Sequence, residues 1–160
     1  MSATRKVVIG IDPGKHGGLC VWCDGVIASH KMPETPYDIR DLLCSIHQMN
    51  AWNELPVIAF LELPPTSMGE NKGAGSVKLH QNHSLIKGML IAMGIELEEP
   101  RPPVWQKRFA LGTRSSCASD TEWKNKLKSE AQRLYPLMKI THSTADALLI
   151  LHYGLGFLKI

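Results

Sequence analysis

The sequence predicts an α/β domain built on a five-stranded mixed sheet, order 3-2-1-4-5, with helices on both faces. Three observations carry this. Two runs, Lys6 to Ile11 (KVVIGI) and Val57 to Leu63 (VIAFLEL), are almost continuously apolar and β-branched, as strands buried on both faces are. Two short strands separated by turn signals follow the first run and make it part of an antiparallel meander. From residue 35 onward, segments of helical period alternate with strands. The length of 160 residues fits one domain, 1–160, and 44% apolar with 21% charged residues is a globular composition.

Asp12-Pro13-Gly14 ends the first strand, with Gly17-Gly18 extending the turn, and the second strand runs from about Leu19 to Cys23. Asp24-Gly25 supplies the positive φ of a tight hairpin, and the third strand runs from about Val26 to Met32. Thr35 is placed to cap a helix that opens on Pro36, with Asp38 three residues after the cap. Ile39, Leu42, Leu43, Ile46 and Met49 form its apolar stripe. Pro56 opens the fourth strand and Pro64-Pro65 stops it; Glu62 alone breaks its apolar run. A Gly-rich loop, Thr66 to Ser76, leads to a long helix over about 77–93, with Gly94 as its stop. Ile95 to Glu98 is a fifth strand. After Pro100, Pro102 and Pro103 a short helix is expected from Trp105 to Leu111. Ser119 and Glu122 have the spacing of a capping box for a helix to Tyr135, and a last helix carries Ala145 to about Tyr153. Right-handed crossovers lay the fourth strand beside the first and the fifth beyond it.

Composition narrows the function. Eighteen basic against fifteen acidic residues give a net charge of +3, which permits a polyanionic partner without requiring one. No apolar run reaches a membrane span, and the N-terminus shows no leader pattern. Cys20 and Cys23 stand three apart on a strand, so their thiols point to opposite faces; with Cys44 and Cys117 they read as reduced, packed thiols.

Asp12 and Glu62 each end an apolar strand. On parallel neighbours about 4.8 Å apart the two carboxylates meet at one sheet edge, where open α/β sheets bind ligands. Ionised carboxylates that close repel unless a proton or cation lies between them, and oxygen ligands favour magnesium or manganese. Each residue also has an ordinary reading, Asp12 in a turn and Glu62 at a strand end. A third acid, Asp146, has two readings. Ser143 and Asp146 have capping-box spacing, whereas a helix beginning one turn earlier sets His142 and Asp146 on one face at i and i+4. His80 and His83 read as surface or groove residues.

The residues Ile9-Gly10-Ile11-Asp12-Pro13-Gly14 with Gly17-Gly18, Phe60-Leu61-Glu62 and Ala145-Asp146-Ala147-Leu148 resemble, in order and spacing, the RuvC-type Holliday-junction resolvases. The Gly-rich loop, the Trp105-Gln106-Lys107-Arg108-Phe109 segment and Leu134-Tyr135-Pro136 are most similar to the branch of plant-organelle and phage sequences. The resemblance implies an RNase H-like fold and a homodimeric, magnesium-dependent endonuclease that nicks two opposing strands of four-way junction DNA. Mn2+ is an expected substitute. It implies Asp12, Glu62, His142 and Asp146 as catalytic metal ligands for two ions per site, with Lys124 beside the scissile phosphate. The position three before the last acid is Ser143 here, and His142 takes that role by its place in the organelle-like branch. Expected DNA contacts are Lys72, Gly73, Gly75, Lys78, Lys107, Arg108 and Lys128. The expected location is the cytoplasm of a bacterial or phage-infected cell, or an organelle where a transit peptide has been removed. Two rival functions stand beside this one: another RNase H-like nuclease, either a ribonuclease or an exonuclease, and a junction-binding protein with a degenerate site. An actin-like ATPase shares the I-G-I-D-x-G pattern but needs two lobes, more than 160 residues can build.

Overall fold

The computed structural model describes residues 6–51, 55–66 and 73–160, and side chains throughout these except at 49–51. Five strands, β1 (Val7–Asp12), β2 (Gly18–Cys23), β3 (Val26–Lys31), β4 (Val57–Leu61) and β5 (Glu96–Glu98), form one sheet in the order β3-β2-β1-β4-β5. β1, β2 and β3 pair antiparallel, and β4 pairs parallel with both β1 and β5. Sheet order and strand directions agree with those read from the sequence.

The period of two along β1 divides the core. Val7, Ile9 and Ile11 face one way and pack with Ala59 and Leu61 against helices α1 (Pro36–Ala51) and α2 (Ala74–Ala92). Val8 faces the other way with Ile58 and Phe60, against α3 (Pro102–Gln106), α4 (Asp120–Leu134) and α5 (His142–Leu158). Cys20 belongs to the second layer and Cys23 to the first, so the two thiols diverge as strand geometry requires. Asp12 and Glu62 extend the Val8 and Phe60 series, which directs both acids to the layer of α3, α4 and α5.

α5 lies directly on β1. A Cβ at Gly10 would come within 2.7 Å of the Leu151 Cα, so any side chain there forces helix and strand apart.

Local chemistry sets the helix starts. The Asp38 N–H donates to the Thr35 hydroxyl at 3.2 Å, as the cap predicts. Ser119 accepts from the Glu122 N–H at 3.1 Å, while the Glu122 carboxylate accepts from the Ala118 N–H and not from Ser119. Four expectations need correction. The short helix starts at Pro102, because prolines at the first two helical positions suit it; Lys107–Phe109 is a 3-10 turn. β4 ends at Leu61, so Glu62 lies just beyond the ladder. The last helix starts at His142 and not at Ala145, with Thr141 and Thr144 as its capping pair; of the two readings of Asp146 this is the one that sets His142 and Asp146 at i and i+4. Of the surface and groove readings of His83, the surface one does not hold. His83 is 8% exposed and pairs with Glu99, which also binds Lys87.

Candidate active site

The pairing of β1 with β4 runs in register from Val7 with Val57 to Ile11 with Leu61, and the Glu62 N–H donates to the Ile11 carbonyl at 3.0 Å. The next residues along, Asp12 and Glu62, are therefore side by side where the strands end. Asp12 is held from its own turn, its Oδ1 accepting from the Gly14 N–H at 2.9 Å. Gly17 closes over it: a Cβ there would lie 2.6 Å from the Asp12 carboxyl carbon. From the other side of the turn, Asn82 on α2, itself buried, donates to the Pro13 carbonyl at 3.1 Å. Glu62 Oε2 accepts from the indole N–H of the wholly buried Trp105 at 2.8 Å.

Asp146 reaches the same place from the second turn of α5. Its charge acts on Glu62, and the charge of Asp12 acts on both. Burial, and then these like charges, push Glu62 up to about 8 and Asp146 up to about 7. Asp12 is also raised, by burial, against the opposing pull of the Gly14 N–H and Lys124. Lys124 on α4 is the cation that draws both Asp12 and Asp146 down. The sheet edge thus holds three mutually repelling carboxyls with one lysine beside them.

A cleft of about 1200 Å3 opens over this point. Glu62 and Asp146 line it, and Arg101, Lys107, Arg114 and Lys124 bring positive charge to its walls. Arg114 forms an ion pair with Asp120, also in the wall, with its Nε 2.7 Å from Oδ1. The lining of the cleft thus carries three acids, Glu62, Asp120 and Asp146, and four basic residues, Arg101, Lys107, Arg114 and Lys124.

The structure brings together Asp12, Glu62, Asp146 and Lys124, and sets Lys107 in the same cleft. His142 is the first residue of α5, one turn before Asp146; it is exposed and outside the cleft lining. Gly73 and Gly75 are exposed at the start of α2, and neither they nor Lys78 and Lys128 are among the residues that line the cleft. Arg108 turns to the ring of Tyr153, with its guanidinium carbon 5.8 Å from the centroid. Lys72 lies outside the described residues. Trp105, Asn82, Arg101 and Arg114 were not singled out from the sequence as site residues. Proline-flanked Arg101 looks like a chain break, and no local pattern shows that Trp105 meets Glu62 or that Asn82 meets the turn after Asp12.

Among the described residues, no group of three or more His, Cys, Asp or Glu side chains forms a ready-made metal-holding set. The donor chemistry nevertheless fits a hard divalent cation. Three oxygen-bearing acids share one edge, and oxygen donors of this kind suit magnesium or manganese.

Strand order and helix layers give an α/β fold of the RNase H-like kind, shared with solved RuvC structures. The solved structures similar to this chain include Thermus thermophilus RuvC in complex with a Holliday junction substrate, with TM-score 0.58 and 15% identity over 96% of this chain and 95% of that one. A second Thermus thermophilus RuvC structure gives TM-score 0.55 and 18% identity over the same shares. Neither a protein-family model nor a curated protein sequence matches the chain.

Proposed function

We propose that this protein is a magnesium-dependent endonuclease that resolves four-way DNA junctions by paired, symmetric nicks. The observation that carries the reading is the convergence of Asp12, Glu62 and Asp146 at one sheet edge, each with its proton affinity raised. The fold match to a RuvC bound to a Holliday junction supports the choice of substrate.

Asp12, Glu62 and Asp146 are the residues to hold the divalent ions, two per site in this reading, with His142 as a further ligand. Bound there, magnesium supplies the Lewis acidity for hydrolysis of a phosphodiester, leaving 5′-phosphate and 3′-hydroxyl ends. The chain's own groups do the rest. Lys124, beside the acids, carries the positive charge that offsets the charge growing on the phosphate. Arg101, Lys107 and Arg114 hold neighbouring phosphates along the cleft wall. Lys72, Gly73, Gly75, Lys78, Arg108 and Lys128 are assigned to the outlying arms of the junction. Two opposed cuts need two sites, hence a two-fold dimer.

The test is cleavage of a synthetic four-way junction with magnesium by wild type, Asp12→Asn and Glu62→Gln, with binding measured in parallel. Both variants are expected to bind and not cut, and chelation of magnesium is expected to stop the wild type. Undiminished cleavage by either variant removes that residue from the metal set. Faster cleavage of an RNA–DNA hybrid or linear duplex than of the junction makes this another nuclease of the same fold. Junction binding by a wild type that never cuts makes it a binding protein with a degenerate site.

A further inference from the structure

A wholly buried indole spends its N–H on an acid of the proposed active site. Trp105 Nε1 lies 2.8 Å from Glu62 Oε2, and an indole nitrogen is a donor only. The backbone of Glu62 is held by its N–H on the Ile11 carbonyl at 3.0 Å, but that bond leaves the carboxylate free to turn, and the indole is the hydrogen-bond donor that fixes it. The donor is itself fixed. Prolines 102 and 103 set the start of α3, the Leu63 N–H donates to the Pro100 carbonyl at 3.0 Å, and the Trp105 ring meets Phe109 edge-on at 6.3 Å. Arg101 and Lys107 flank this same segment and face the cleft.

We infer that Trp105 is a positioning residue: its indole N–H pins one oxygen of Glu62 and so presents the other to the divalent cation. This rests on the metal-dependent reading above. A simpler account exists, since a buried tryptophan needs an acceptor for its N–H and Glu62 would then serve the indole. The two accounts differ in what happens when the N–H is removed and the ring is kept.

Mn2+ is titrated calorimetrically into the DNA-free protein as wild type, Trp105→Phe, Trp22→Phe and Glu62→Gln. Outer-sphere partners of metal ligands are worth roughly 10–100-fold in affinity. Trp105→Phe is therefore expected to bind about 10-fold or more weakly, with Trp22→Phe unchanged. Affinity in Trp105→Phe within about twofold of wild type overturns the inference and leaves the metal site standing, provided that Glu62→Gln weakens binding. A wild type that takes up no Mn2+ overturns both. A second measurement needs no Trp105 variant to fold. The four tryptophans of the chain give four indole N–H resonances in the 15N-labelled protein. One is expected to move both on Glu62→Gln and on addition of Mg2+ to the wild type; four unmoved resonances overturn the inference.

Discussion

Asp146 shows how a single side chain stores tension in this protein. Its carboxyl is pushed up to about 7, by burial first and by Asp12 second. A proton affinity higher in the folded than in the unfolded chain means that the folded state prefers the neutral acid. Its stabilising contribution is complete below the ordinary aspartate value and disappears as pH rises toward 7; Glu62 extends the loss to about 8. Metal-free protein should therefore melt at lower temperature at pH 8 than at pH 5. Asp146→Asn should recover on the order of 2 kcal/mol more at pH 8 than at pH 5, because pH 5 already lies above the ordinary aspartate value and part of the loss is present there. Thermal melts in chelator check this, and equal gains at both pH values would sink it. Lys124 makes the complementary prediction. Lys124→Gln should cut junction more slowly by roughly 100-fold while binding it nearly as well, because its charge matters most when the phosphate gains charge. A single-turnover assay separates the two effects.

At the scale of elements, the site depends on how closely α5 lies on β1. Gly10 sets that distance, since a methyl there would press on the backbone at Leu151. Gly10→Ala should cost about 3 kcal/mol, a drop in melting temperature of roughly 10 °C. It should also shift Asp146 relative to Asp12, so cleavage should fall even well below the melting point. Full activity in a destabilised Gly10→Ala would show that the helix can lift without disturbing the acids. The start of α5 has a similar consequence. Ser143 and Asp146 match a capping box as a string of letters, but Thr141 with Thr144 does that work. Capping requires only a hydroxyl or carboxylate near free N–H groups, and two such pairs overlap here. The helix starts at His142, one turn before Asp146, and from there the charge of Asp146 acts on Glu62.

For the whole molecule, the proposed paired nicks require two copies. Sedimentation should therefore give twice the 17.8 kDa chain mass at micromolar concentration. A monomer under conditions that support cleavage would oppose the symmetric mechanism. The basic wall of the cleft makes a second demand. If about six phosphates are neutralised, junction affinity should fall roughly 1000-fold between 50 and 200 mM salt. A flat salt response would mean that Arg101, Lys107 and Arg114 do not meet the backbone. The net charge of +3 is too small to carry this effect as a general property, so it must come from the local placement of these residues.

Sheet order, strand directions and the neighbouring positions of Asp12 and Glu62 were legible in the linear chain. Burial on both faces leaves continuous apolar runs, and an acid at the end of such a run is conspicuous. The thiols of Cys20 and Cys23 were likewise legible, since a period of two has one outcome. Packing alone decided that Trp105 meets Glu62, that Asn82 holds the Asp12 turn, and that Arg108 turns away from the cleft to Tyr153. Periodicity is a local property written along a strand or helix, whereas a hydrogen bond between residues 43 or 69 apart depends on where the layers come to rest.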